Sequence, residues 1–528
     1  MFPRLNPTIS PATVRAPSLR TGALDGLDGA VLAYLLLPLA LFLGGWLTPW
    51  LAVPLLACVG YALLVGPRQG PAQPAPGLTP LPLSTPAIAI AVGVGTVWAV
   101  LGGTDHWVFA NADWHMREAL LHDLVVGRWP LGYGEHLGAT TLLRAPLAYF
   151  LPAALIGKWA GLPAAHHALL VWTAIGASLF LLQVLTLAPP RVGAMFAVVA
   201  VVVLFSGLDI VGLMIDVGPS ERTGGHIATH IEWWAGLYQY SSMTTQLFWV
   251  PNHAFGSWLT IGLLARHRRD AALEPLLPIV VVAIALWSPF AAVGCLPFVL
   301  AKGLATLRQD RATYLLHPRI WAPALVVGVV VAGYLTLDAA TVSARWAEGR
   351  GDDAAMQLLR HVQFFMLEAG FIGIALLKLR RGAEIWLALL ILALLPFAVM
   401  GPGNDLVMRA SIPSLVVLAL ACALALVEPL PGGAVRPKLA LGGLLAVGAV
   451  TPVHEFARAV ELPVWPINLQ ATLVDADCGH YPPHYIARLT SAPVTRVLRA
   501  PTALVPGPVR AANCDNPAFF LMWMWNVI

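Results

Sequence analysis

Charge is what this sequence has least of. Of 528 residues, 31 are Lys or Arg and 27 are Asp or Glu, so only 11% are charged, against about 25% in soluble proteins. Hydrophobic residues make up 58%, and mean hydropathy is +0.75. So few charges cannot clothe a water-soluble fold, and a disordered chain is charge-rich and apolar-poor. The net charge of +4, with no long Lys/Arg run, gives no footprint for nucleic acid. Internal repeats of the kind common in transporters are lacking. Cysteine is scarce, with five residues. Cys58, Cys295 and Cys422 fall in apolar stretches as packing residues, whereas Cys478 and Cys514 fall in a polar tail where an oxidising compartment would let them pair.

What is present is apolar length. A spanning helix needs about 20 mostly apolar residues. Candidate spans run over 27–47, 49–66, 84–103, 164–187, 191–214, 253–265, 274–288, 289–304, 319–337, 361–377, 383–401, 412–430 and 439–453. The expected fold is therefore an all-α polytopic membrane protein of about 13 helices. Residues 1–26 form a polar tail before a retained first span, with no cleavable signal peptide evident. The linker 67–83 is rich in Pro and Gly and reads as irregular.

Basic clusters orient these spans. Arg4/Arg15/Arg20, Arg68, Arg191, Arg266/Arg268/Arg269, Lys302/Arg308/Arg311/Arg319, Lys378/Arg380/Arg381 and Arg436/Lys438 all fall on one side if the N-terminus is cytoplasmic. The agreement requires segment 146–161, short and carrying two prolines, to be re-entrant rather than spanning. The outer side then receives the loops 104–145, 215–252, 338–360 and 402–411, and a small extracytoplasmic C-terminal region, 454–528.

Those outer loops hold most of the residues able to do chemistry. Residues 113–126 have helical apolar spacing and read as an amphipathic helix on the outer interface. Asp113 opens that helix, with Arg117 one turn on, and Asp105 ends the preceding span as a solvated carboxylate. His226 and His230 are spaced i,i+4 with Glu232 beside them, a spacing that permits a divalent metal or hydrogen bonds to a polar ligand. Trp233, Tyr238, Tyr240, Asn252 and His253 follow in the same loop. The chain has 19 Trp, and such aromatic density suits a sugar platform or an interfacial belt. Asn404, Asp405 and Arg409 sit where one span ends and the next begins; Arg binds phosphate bidentately and keeps its charge. Arg144 is a further candidate for that role. Glu368 lies inside a span, where an ionisable group marks a functional site or pairs with His361.

Asp113, then Gly127-Arg128-Trp129-Pro130, then Arg144-Ala145-Pro146-Leu147-Ala148-Tyr149 resembles the first outer loop of the C-type (GT-C) membrane glycosyltransferases. The likeness is to the lipid A aminoarabinose transferases and the protein mannosyltransferases in particular. The match covers residues 100–160 at motif level and the remainder by topology. It implies a polyprenyl-phosphate sugar as donor and a glycan, lipid or protein hydroxyl as acceptor. It also implies inversion by a single displacement, at the outer face of a bacterial inner or plasma membrane. On this resemblance Asp113, with Asp105 as the alternative, is the catalytic base. Arg409, Asn404, Asp405, Arg144 and Arg117 hold the donor phosphate. His115, His226, His230, Glu232, Tyr238, Tyr240, Asn252, His253 and Trp129 bind substrate, and His226, His230 and Glu232 are the metal candidates. Two other readings stand beside it. One is a transporter or flippase for a lipid-linked or polar solute, pointed to by Asp209 and Glu368. The other is a non-catalytic accessory of envelope polysaccharide assembly.

Overall fold

A computed structural model describes residues 24–65, 84–216, 230–269, 272–307, 318–341, 344–346, 354–401, 403–429, 435–489 and 493–504. It is 72% helical with almost no sheet. Among the described residues six helices are long and apolar enough to cross a membrane: Gly26–Trp46, Leu162–Leu187, Pro318–Leu335, Ala355–Leu379, Asp405–Val427 and Val435–Glu461. Shorter apolar helices of 10–17 residues, including Pro49–Leu64, Thr85–Leu101 and Val192–Val203, pack among them. The protein is an all-helical membrane protein, as the composition requires.

Apolar helices in lipid gain little from leaving it, so close packing and polar contacts must hold them. The helices Thr85–Leu101 and Leu162–Leu187 show how. A Cβ on Gly95 would come within 2.7 Å of Ser178 Oγ and 2.8 Å of its backbone nitrogen, so only glycine permits this approach. Deeper in, Tyr34 stacks on Trp172 at 3.9 Å and on Trp287 at 5.3 Å, and Trp98 stacks on Trp258 at 5.2 Å.

The basic groups gather at one end of the bundle. There Asp25 caps the helix Gly26–Trp46 in a reciprocal capping box with Asp28, which satisfies orphan N–H groups of the first turn. Arg266, at the end of the helix Pro251–Arg266, bonds both carboxylates, and His267 lies 3.0 Å from Asp28. Arg268 meets Glu384, Lys302 meets Glu274 and Arg380 meets Glu428 in the same region.

The opposite end is woven from the first loop and the tail. Strand Ala139–Leu143 pairs antiparallel with Ile486–Arg488, and Leu131–Gly132 pairs parallel with Thr502–Ala503. The tail therefore does not stand apart: its described part closes over the first loop. Cys478 is disulfide-bonded; Cys514 lies outside the described residues. Cys58, Cys295 and Cys422 are free.

Several sequence boundaries shift. Segment 146–161 forms only the helix Leu151–Ala160. Both its flanks lie at the tail end, since Arg144 N–H donates to Tyr485 O and His167 bonds Asp105. The segment thus starts and ends at the same end of the bundle. The span 191–214 is broken between Val192–Val203 and Asp209–Asp216. The loop 215–252 carries the fully buried helix Met243–Trp249. Loop 338–360 gives way to helix at Ala354, and 402–411 contains the helix Asp405–Ala410. The helix Trp114–Val126 is not a surface helix. Arg117, Glu118, His122 and Asp123 are all buried, because the tail supplies partners: Asn468 N–H to Glu118 at 2.7 Å and Leu473 N–H to Asp123 at 2.9 Å.

Candidate functional site

Asp113 occupies the N-cap of the helix Trp114–Val126, yet its side chain makes no capping bond. It accepts instead from Arg117 Nη2 at 2.8 Å. Half of this pair is open: the side chain of Asp113 is 43% exposed and that of Arg117 only 6%. Arg117 lies over the Trp114 ring, and its Nε and Nη1 are buried with no acceptor among the described residues. A buried guanidinium with two idle N–H groups is costly unless a ligand takes them.

A second pair faces the same region. Arg409 reaches Asp405 at 2.8 Å, one turn away, and its Nε also lacks an acceptor. Arg144 is buried, donates to the carbonyls of Leu335 and Pro483, and keeps Nε unpaired. The tail brings the three together. Tyr485 feels Arg117 and Asp113 on one side and Arg409 and Asp405 on the other. Burial pushes its phenol up, the two arginines pull it down, and the two carboxylates oppose them. His253 lies in the field of both Arg409 and Arg117. His484 is exposed and stands in the fields of Asp405, Arg409 and Arg144. Two polar atoms remain unpaired beside this cluster, Asn252 Oδ1 and His253 Nδ1, while Asn252 Nδ2 meets His253 Nε2 at 3.1 Å. The arrangement is a group of polar side chains with surplus N–H donors and one half-open carboxylate, suited to an anion bearing oxygens and to proton abstraction beside it.

Other sequence candidates have different jobs. Asn404 spends its amide inside the protein, accepting from Met400 N–H and donating to Leu237 O, and it sits at φ 55°; it shapes a turn and offers a phosphate nothing. Asp405 serves Arg409 and repels an anion. Asp105 is buried rather than solvated, bonded to His167 at 2.5 Å, beside a second buried pair, His106 and Glu118. Trp129 is a strut: its N–H donates to Leu124 O and its ring packs on Trp46. Tyr240 is buried with its hydroxyl on Leu392 O, so it is no sugar platform. Tyr238 packs against His361 and Phe364. His115 lies 6.2 Å from the Trp465 ring; burial pushes it down to about 4, so it is neutral at pH 7.

The metal candidates do not form a cage. His226 lies outside the described residues, and among those described no three His, Cys, Asp or Glu side chains gather to hold an ion. His230 is instead bonded to Glu455 at 2.9 Å and lies 3.5 Å from Glu232, while Glu232 accepts from Gln239 and from Ser242 N–H. Burial pushes His230 down, but Glu455 and Glu232 outweigh it and raise it from 6.5 to about 9. A folded-state value above the unfolded one stabilises the protein below about pH 6.5, and that stabilisation is lost as pH rises through about 9. The thermal unfolding midpoint of the purified protein should therefore fall between pH 7 and pH 10, and fall less in His230→Gln, which carries no titrating ring. Equal slopes for the two proteins would refute the assignment.

Glu368 pairs neither with His361 nor with a base. It accepts from Trp234 Nε1 at 2.9 Å and meets Asp209. The residues that sequence reading missed are Glu118, Asp123, His484 and Tyr485. The first two had a visible signal: ionisable residues at 117, 118, 122 and 123 spread around the helix, which a one-sided surface helix does not show.

A separate cavity of about 390 Å³ opens at the basic end, between Leu187, Ile261, Phe298 and Leu420. Its rim cations Arg268 and Arg380 are paired with Glu384 and Glu428, so the free donors lie at the other end, in the recess around Arg117. Comparison with protein-family models, with curated proteins and with solved structures yields no match to this chain.

Proposed function

We propose that this chain is a GT-C-like inverting glycosyltransferase. In this reading it moves a sugar from a polyprenyl-phosphate donor to an acceptor hydroxyl at the outer face of the membrane, in the assembly of a cell-envelope glycan or glycolipid. About thirteen spans, a cytoplasmic N-terminus and an extracytoplasmic tail belong to the same reading, supported by the gathering of basic residues at one end of the bundle.

One observation carries it: Arg117, Arg144 and Arg409 each hold a buried N–H without an acceptor, and Arg117 pairs with the half-open carboxylate of Asp113. In the reaction the acceptor oxygen attacks the anomeric carbon as the bond from that carbon to the phosphate oxygen breaks. Asp113 takes the acceptor proton, and polyprenyl phosphate leaves with the bonding electrons. The arginines stabilise the charge that builds on the phosphate. Arg117, bonded to Asp113 at 2.8 Å, holds that carboxylate in place.

The direct test is binding of polyprenyl phosphate to the purified protein, followed by transfer from a polyprenyl-phosphate sugar. Charge-assisted hydrogen bonds contribute about 1.5–3 kcal/mol each, so Arg117→Gln and Arg409→Gln should each weaken binding by roughly tenfold or more. Unchanged affinity in both would remove the reading. A transporter of a lipid-linked or polar solute is the second reading, favoured by the buried Asp209 and Glu368 pair. Solute uptake into proteoliposomes that survives loss of Asp113 would favour it.

A further inference from the structure

Asp209 and Glu368 are far from the arginine recess in sequence and serve nothing described so far. Each is 1% exposed. Glu368 lies near the middle of the 25-residue helix Ala355–Leu379, so its carboxyl sits well inside the membrane domain. Asp209 Oδ2 accepts from Ser206 Oγ at 2.7 Å and from Thr451 Oγ1 at 3.0 Å. Glu368 Oε1 accepts from Trp234 Nε1 at 2.9 Å. Neither carboxyl has a Lys, Arg or His partner among the described residues. The backbone nevertheless brings the two acids together, since Leu208 N–H donates to Leu367 O at 3.0 Å and Gly207 lies against the Glu368 carboxyl, while Glu368 Oε2 has no donor in reach. Two carboxylates are acceptors only, so a hydrogen bond between them exists only if one carries a proton. Two like charges in contact in a low dielectric do not both persist.

The backbone is built around the pair. The chain is unwound between Val203 and Asp209, and Glu368 lies within a π-turn, Met366–Gly370. Such turns occur as single insertions in helices, frequently at functional sites, and unwound backbone at membrane depth is tolerated only where protein or a cavity satisfies it. Gly207 lies directly on Glu368: a Cβ there would come within 2.1 Å of Oε2. Gly448 admits the carbonyls of Ser206 and Gly207, each 2.7 Å from where its Cβ would stand. Two broken helices and two glycines thus converge on two acids.

We propose that Asp209 and Glu368 form a proton-binding site inside the membrane domain, the two carboxyls holding one exchangeable proton between them. Its ligand is the proton itself. The ionisable groups that face it are Glu232, from the 3-10 turn Ile231–Ala235, and Tyr240. Beyond Glu232 stand His230 and Glu455, 2.9 Å apart, and then Arg458, 2.8 Å from Glu455. This file of titratable groups gives the proton a route toward the tail end of the bundle. Intramembrane carboxyls that gain and lose a proton are how membrane proteins couple a conformational step to a proton gradient. The assignment stands apart from the transferase reading, since it shares no residue with the arginine recess.

The test is infrared difference spectroscopy on the full-length protein in lipid nanodiscs, reading the C=O stretch of protonated carboxylic acid, which shifts in heavy water. The wild type should show such a band at neutral pH. Asp209→Asn and Glu368→Gln, which keep the shape and most hydrogen bonds, should each remove the same component, whereas Asp113→Asn should keep it. Proton release on raising the pH should fall by one per protein in both pair variants. Absence of the band in the wild type, or its survival in both pair variants, overturns the proposal. So does a band that sodium ions extinguish at constant pH, because the ligand would then be a metal cation. If one pair variant fails to fold, the other and the wild-type spectrum still decide.

Discussion

Asp113→Asn should lower transfer from a polyprenyl-phosphate sugar by roughly 10²–10⁴-fold, the usual contribution of a general base. The substitution keeps the shape of the side chain and a carbonyl oxygen that can still accept from Arg117 Nη2, now 2.8 Å from Asp113 Oδ2. It removes only the ability to take a proton. Donor binding should therefore stay near the parental value while kcat falls, the pattern of a group that acts in the transition state. Asp113 suits this role better than Asp105. Asp113 is half open beside idle donors, whereas Asp105 is 5% exposed and bonded to His167. Asp105→Asn should accordingly leave kcat within a few-fold of parental. Parental turnover in Asp113→Asn would end its candidacy as base. Loss of donor binding together with kcat would show a structural role for the pair with Arg117.

Arg266→Ala should cause the largest loss of stability. Arg266 bonds Asp25 and Asp28 together, and its side chain is 1% exposed. Removing one partner of a buried ion pair leaves the other charge without compensation, at a cost of about 3–5 kcal/mol. Here two carboxylates would be stranded at once, with His267, 3.0 Å from Asp28, the remaining partner. The thermal unfolding midpoint of the purified protein should drop sharply, and Asp25→Asn in the same chain should recover part of the loss. The readout is the double-mutant cycle. Additive effects of Arg266→Ala and Asp25→Asn would mean that the two groups are solvated and independent.

The local features were legible because local rules govern them. Segment 146–161 announces by its prolines and length that its helix is short, and it forms only Leu151–Ala160. The boundary between the spans 274–288 and 289–304 appears where the helix Leu277–Trp287 ends and Pro289 begins a new one. The environment of the first-loop helix was legible only in the spread of its ionisable residues around the axis, not in their partners. Its apolar spacing fits a surface helix, and the residues that bury its polar face, Asn468 and Leu473, bond it from 350 positions away. Asn404 and Asp405 look like phosphate ligands by composition, yet one shapes a turn and the other neutralises Arg409.

By itself the sequence determined the solvent of this protein: with 11% charge and 58% hydrophobic residues, only a membrane accommodates it. Basic residues near helix ends further set where the charged end of the bundle would be, since each such group must stay out of hydrocarbon whatever its neighbours. Only the tertiary structure decided which polar groups are satisfied and which are idle. Arg117, Arg144 and Arg409 come from distant parts of the chain, and the tail residues His484 and Tyr485 stand within their fields. Asp209 and Glu368 meet because an unwound stretch before Asp209 packs on the π-turn that carries Glu368. Burial and pairing are properties of surroundings assembled from afar, and periodicity along the chain carries no record of them.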